Sequence, residues 1–202
     1  MSDSTHTSTT PTVVLVHGAF VDASSWTGVI AELKAAGLDV VAPPNLLRGV
    51  DVDAAFAPEA GETIAAINAR YPDVPLAAAQ RTFTYTGERG EQATDTFVDP
   101  ASFHEAVCAD APADVADLLA RTQRPASLNA FTTVVTGTPG WKTLPSWAIV
   151  ATADHAIHPN AERDMAKRAG SEIIEIDASH AVPATHPADV AKVIVRAVKA
   201  IT

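Results

Sequence analysis

Cysteine occurs once in this 202-residue chain, at Cys108. A single thiol cannot close an intrachain disulfide or build a cysteine zinc cage. Positive charge is scarce: 14 Lys and Arg face 24 Asp and Glu, a formal net charge of -10. Such a chain repels phosphate backbones and anionic membranes, so nucleic acid and membrane are excluded as expected partners. No apolar run is long enough to span a bilayer, and the opening MSDSTHTSTT has no apolar signal core. The expectation is a soluble, cytoplasmic protein. Gly-rich dinucleotide and P-loop motifs are lacking, and Arg48, Arg81, Arg121 and Arg124 are scattered rather than gathered into a phosphate clamp. No cofactor is expected.

What is present is globular: 47% hydrophobic and 19% charged residues, on a length that suits one domain with room for a small inserted subdomain. Residues 1–10 are Ser/Thr-rich and read as a mobile tail. Residues 11–202 read as a single domain. PTVVLVHGAF opens it with a β-branched run that stops at His17-Gly18, the pattern of a buried parallel strand. Trp26, Val29, Ile30 and Leu33 then recur at helical spacing, with Asp22, Ser24 and Ser25 as caps and Gly37 as the stop. A second strand, Leu38–Ala42, completes a βαβ unit.

The middle, 56–146, reads as a cap-like insertion. It offers a helix over Pro58–Arg70 and a hairpin over Arg81–Val98. Helices are expected to open at Asp99-Pro100, Pro112 and Pro125. The α/β rhythm resumes with a strand at Trp147–Ala151, a helix at Pro159–Ala169 stopped by Gly170, a strand at Glu172–Ile176 and a last helix from Pro187.

Three polar marks follow expected strands: His17-Gly18-Ala19-Phe20, Ala153-Asp154-His155 and Ser179-His180-Ala181. Ligands bind at the carboxyl ends of strands in open parallel sheets. His180 oriented by Asp154 would make a general acid/base pair. Taken singly, an Asp or His after a strand is more often a turn or cap residue; it is the joint pattern that points to a site.

VVLVHGAF, DVVAPPNL, PSWAIVATADHAI and IIEIDASHAV together resemble the α/β-hydrolase superfamily. The similarity is to its short esterase branch, related to methylesterases and hydroxynitrile lyases. DPASFHEAVCADAP and WKTLPSW in the cap are also similar to that branch, so the resemblance spans most of the chain from Pro11. It implies an α/β fold and a carboxylic-ester hydrolase acting on small esters. It also implies Asp154 as triad acid, His180 as triad base, and an oxyanion site at Gly18 and Ala19 that uses the N–H of Ala19.

The family's nucleophile stands in Gly-x-Ser-x-Gly on a strained strand-to-helix turn. This sequence has no such pentapeptide and no Cys or Asp version of it. The sequence passes from APPNLLRGVDVDA straight to AFAPEAGET. The resemblance therefore implies a missing block of roughly 40–60 residues near Ala54-Ala55. Loss of a triad serine can lower turnover about a million-fold, and loss of one oxyanion donor about a hundred- to thousand-fold.

Other residues offer weak substitutes. Ser24 and Ser25 are the nearest hydroxyls past the oxyanion loop, and both suit helix capping. Cys108 suits a small buried hydrophobe, and His104 a structural role. His155 and His158 have metal-compatible spacing but no carboxylate partner in evidence, so neither a nucleophile nor a metal is assigned.

The expected architecture is a reduced α/β-hydrolase fold with four core strands, Thr12–His17, Leu38–Ala42, Trp147–Ala151 and Glu172–Ile176. The sheet is expected to close over the gap in the order 2-1-3-4. The expected function is that of an inactive or impaired ester hydrolase. The alternatives are a non-catalytic small-molecule-binding pseudoenzyme and a truncated gene product. Loss of the helices around the elbow would uncover one sheet face, which implies marginal stability or self-association.

Overall fold

The computed structural model describes residues 11–45, 56–87 and 90–202. The expected tail, the Ala54-Ala55 junction and Arg48 lie outside the described residues.

Strand β1 (Thr12–Val14) is followed by a 3-10 turn at Ala23–Trp26, helix α1 (Thr27–Ala35) and strand β2 (Asp39–Val41). The strands pair in parallel, Thr12 opposite Asp39 and Val14 opposite Val41. Alternation sets their faces. Val13, Leu15 and His17 turn inward, whereas Val14, Val16 and Val41 stay exposed. Asp22 starts the 3-10 turn by accepting the Ser24 N–H at 2.9 Å. Val29 and Leu33 of α1 are fully buried.

Segment 56–146 begins with α2 (Ile64–Asn68) and α3 (Pro75–Ala79), then β3 (Gln80–Thr86) and β4 (Gln92–Val98). These strands form the expected antiparallel hairpin. Next come α4 (Pro100–Val107), α5 (Ala113–Thr122), β5 (Ala126–Ser127) and α6 (Leu128–Thr132). The first helix is shorter than Pro58–Arg70. Gly61 takes φ +92° and donates its N–H to Val135 O, so the chain turns there and Thr63 caps the helix instead. After Pro125 a strand precedes the helix, because Ala126 and Ser127 pair with Thr96 and Asp95 on the open edge of β4. Phe103, Val107, Cys108 and Leu119 form a core here, joined by Phe20 and Ala181. Cys108 is wholly buried.

The last portion holds β6 (Trp147–Ala151), α7 (Pro159–Ala169), β7 (Glu172–Ile176), α8 (Val182–Thr185) and α9 (Pro187–Ile201). β6 and β7 are parallel, Trp147 opposite Glu172. Pro159 sits at the first turn of α7, and Gly170 ends the helix at φ +68°, the left-handed stop that glycine adopts without strain.

The sheet does not close as expected. Among the described residues β1 pairs only with β2 and β6 only with β7, so the order 2-1-3-4 is corrected to two separate parallel pairs. The reason lies in the layer beneath them. Leu15 from the first pair and Ala151 from the second share one core with Val29, Leu33, Val190 and Ala191 of α1 and α9. Gly28 lets these two helices approach closely, for a Cβ there would lie 2.8 Å from Pro187 Cβ. Both strand pairs rest on this one helical layer, each held by its own contact to it rather than by pairing with the other. A cavity of about 1150 Å³, bordered by Val16 and His17 on one side and by Ala148 to Ala151 on the other, occupies the interval.

Candidate active site

Asp154 stands in the turn that leaves β6. That turn is tied to β7 and its following loop by Thr152 N–H to Ile176 O at 2.9 Å and Ala153 N–H to Ala178 O at 3.1 Å. The Asp154 side chain is 1% exposed. Its Oδ1 accepts the N–H groups of Ala156 at 2.6 Å and Ile157 at 2.9 Å. Its Oδ2 accepts from His180 Nδ1 at 2.7 Å. Burial works against ionisation of this carboxyl. The His180 ring, by charge and hydrogen bond, and the two amides outweigh burial and hold it below the usual carboxylate range.

His180 follows β7. Its loop is held by Ala181 N–H to Val107 O at 3.0 Å and by a short bond from Ser179 Oγ to Asp110 Oδ1. The Asp110 carboxylate also lies 3.5 Å from His186 Nδ1. Burial disfavours the imidazolium of His180, but Asp154 outweighs it and raises the ring above its ordinary value. Asp154 and His180, expected from their places after two strands, are therefore brought together, and both face the cavity.

Gly18 and Ala19 line the same cavity. The loop is held open by two neighbours. His17 is 1% exposed; its Nε2 accepts the Asn45 N–H at 2.9 Å, so Nδ1 carries the proton toward Gly18 O at 3.0 Å. Phe20 adopts φ +64°, which costs a non-glycine residue on the order of 1 kcal/mol. Burial of its ring, stacked on Phe131 at a centroid distance of 6.1 Å, offsets that strain.

The substitutes have other work. Ser24 Oγ donates to Asp22 Oδ1 and Ser25 Oγ to Asp22 O, both capping bonds. Burial pushes the Cys108 thiol to about 11, helped by the Asp110 charge, so it is a poor nucleophile. His104 Nε2 bonds Ala111 O, and His155 Nδ1 bonds Glu105 O. His158 Nδ1 caps α7 by accepting the Asn160 N–H at 3.2 Å. Arg81 and Arg121 pair with Asp99 and Asp117. Among the described residues no hydroxyl or thiol hydrogen-bonds the His180 ring.

Sequence reasoning missed Glu162. It stands in the first turn of α7, and its Oε2 accepts the Ala151 N–H at 3.1 Å. Burial and the Asp154 charge push its carboxyl up to about 8. Asp154, Glu162 and His180 are the one grouping among the described residues whose donor atoms lie within 4.8 Å of one another, as a metal ion would require. His180 Nδ1 is already bonded to Asp154 Oδ2, and Glu162 Oε2 already accepts the Ala151 N–H. In sequence, an acid at the start of a helix reads as a partner of the helix dipole, which conceals this role.

Parallel strands with helices between them, and an acid and a histidine following successive strands, define an α/β hydrolase. The chain belongs to the Alpha/beta hydrolase family, whose family model matches residues 44–193. Its fold is similar to that of polyneuridine aldehyde esterase, with TM-score 0.76 and 13% identity over 94% of this chain and 99% of that one. A pyrethroid hydrolase from Sphingobium faniae JZ-2 is similar with TM-score 0.67 and 17% identity, over 95% of this chain and 98% of that one. A methylesterase from Arabidopsis is similar with TM-score 0.67 and 14% identity, over 93% of this chain and 98% of that one. Comparison with curated proteins gives no match. No helix among the described residues is long and apolar enough to cross a membrane.

Proposed function

We propose that this chain binds a small ester or related ligand in the cavity and is inactive or severely impaired as a serine ester hydrolase. The observation that carries the reading is the Asp154–His180 pair opening on a cavity of about 1150 Å³ with no hydroxyl on the imidazole among the described residues. Ligand pockets usually span about 300–1,000 Å³, so the space admits a drug-sized molecule. In this reading Asp154 orients His180, and the ring presents Nε2 to a ligand oxygen. The amide of Ala19, beside Gly18, serves as a hydrogen-bond donor to a ligand carbonyl. No covalent acyl intermediate forms, because Gly-x-Ser-x-Gly is absent from the sequence.

The cavity lies where the family's elbow strands would run, between β1 and β6, which supports a missing internal block. A truncated gene product without a selected ligand has the same sequence signature and is separated by ligand binding. The deciding experiment pairs two measurements on the intact protein. Treatment with a serine-directed organophosphonate followed by mass spectrometry should give no stoichiometric adduct. A panel of small carboxylic esters should include members that raise the unfolding temperature, an effect lost in His180→Ala. An adduct on Ser24 or Ser25 would overturn the absence of a nucleophile. Failure of every ester to stabilise the protein would leave only the truncated product.

A further inference from the structure

We propose that Glu162 is a positioning residue for the Asp154–His180 pair, donating a hydrogen bond to Asp154 from the first turn of α7. The site is that of the proposed function, but the inference is read on the free protein and needs no ligand.

The Ala151 N–H fixes Glu162 Oε2 at 3.1 Å, and oxygens of the Glu162 and Asp154 carboxyl groups lie within 4.8 Å of one another. Two buried carboxyl groups this close repel when both are ionised and can bond only if one carries a proton, so one of them is held protonated. Asp154 is the one kept ionised, because it receives two amide N–H groups and the imidazole N–H. Glu162 receives only the Ala151 amide among the described residues. The proton therefore sits on Glu162 and points at Asp154. That bond, with the two amides, restrains the Asp154 carboxylate against rotation and keeps Oδ2 on His180 Nδ1. Burial and the Asp154 charge, which push Glu162 up to about 8, agree with a protonated acid at neutral pH.

The ionisable groups around Glu162 among the described residues are Asp154 from the β6 turn, His180 from the β7 loop, and Arg163 on its own helix. Arg163 is occupied with Glu175 of β7 at 2.8 Å. Asp154 and His180 are thus the partners through which loss of the Glu162 proton is felt.

The test is an NMR titration of the His180 ring in the full-length protein, with the signal assigned by His180→Gln. In the parent protein the ring signals should move in two steps, the second near the Glu162 value of about 8. Glu162→Gln should abolish the second step and keep the downfield Nδ1–H proton of the Asp154 hydrogen bond. Its amide can accept from Ala151 and donate to Asp154 as the protonated acid does. Glu162→Leu should weaken or lose that downfield proton. A single-step titration in the parent, unchanged in Glu162→Gln, would overturn the proposal. So would a folded Glu162→Leu variant with an undisturbed downfield proton. Neither result bears on whether an ester binds.

Discussion

His180 Nδ1 lies 2.7 Å from Asp154 Oδ2, joining two loops separated by the whole of α7 and β7. The imidazole side chain is 30% exposed and the carboxylate 1%. Both border the cavity, but the ring is the more accessible of the two and its orienting acid is almost wholly buried beside it. Without that carboxylate, burial of the ring would prevail.

Asp154→Asn should thus lower the His180 titration, because burial disfavours the cation and only the Glu162 charge still opposes it. The stability consequence has two limbs. Asp154 is depressed on folding, so its contribution is present above the ordinary carboxyl value of about 3.9 and is lost as pH falls through the folded value. His180 is raised, so its contribution is full below about 6.5 and is lost as pH rises through the folded value. Denaturation midpoints measured across pH should show the pair's contribution between those limbs. Asp154→Asn should flatten both. A variant whose pH profile parallels the parent's would refute the linkage.

Asp110 ties the insertion to the His180 loop. It accepts from Ser179, whose side chain is buried, and lies near His186. Burial opposes its ionisation, but the Ser179 bonds and Thr185 prevail and depress its carboxyl. Its stabilising effect is accordingly lost as pH falls through the lowered value. Asp110→Ala leaves a buried hydroxyl unpaired and should cost about 1–3 kcal/mol. Chemical denaturation at neutral pH measures that loss, which should shrink in acid.

Gly28 is the contact between α1 and α9. A methyl there would meet the rigid Pro187 ring at 2.8 Å. Gly28→Ala should destabilise the fold by about 1–3 kcal/mol, as overpacking does, despite alanine's better helix propensity. Pro187→Gly, which removes both the Cβ and the Cγ that such a methyl would meet, should recover part of that loss in the double variant. A Gly28→Ala protein as stable as the parent would show that the helices can move apart freely.

Periodicity and punctuation made much of this fold legible. VVLVHG, WAIVA and EIIEI mark the parallel strands, and Pro159 and Gly170 bracket α7. Asp154 and His180 could be named because each is the polar residue that follows an apolar strand. Strand pairing was not legible. Whether β1 reaches β6 depends on Leu15 and Ala151 both being anchored to α1 and α9, a long-range packing relation with no local pattern. Glu162 was hidden for a similar reason, since its partner Ala151 offers a backbone amide and no side-chain signal.

Val14 and Val16 are 56% and 53% exposed, and Val41 is 46% exposed. They share the face of the β1–β2 pair opposite the α1 and α9 layer. Parallel strands are normally covered on both faces. By contrast α7 packs on the second pair, where Arg163 of α7 reaches Glu175 of β7. Fully burying a valine is worth about 1.5–3 kcal/mol, so three of them are a large term against a net stability of about 5–15 kcal/mol. The protein should unfold at low temperature or associate through this face. Thermal unfolding with light scattering tests it, alongside a variant carrying Val14→Thr, Val16→Thr and Val41→Thr. These substitutions keep the β-branched shape and should reduce association without lowering the transition temperature. A strictly monomeric parent with a cooperative transition above about 65 °C, the top of the usual mesophile range, would refute the prediction. It would also favour a selected binder over a truncated product, since a broken fold has no reason to be that stable.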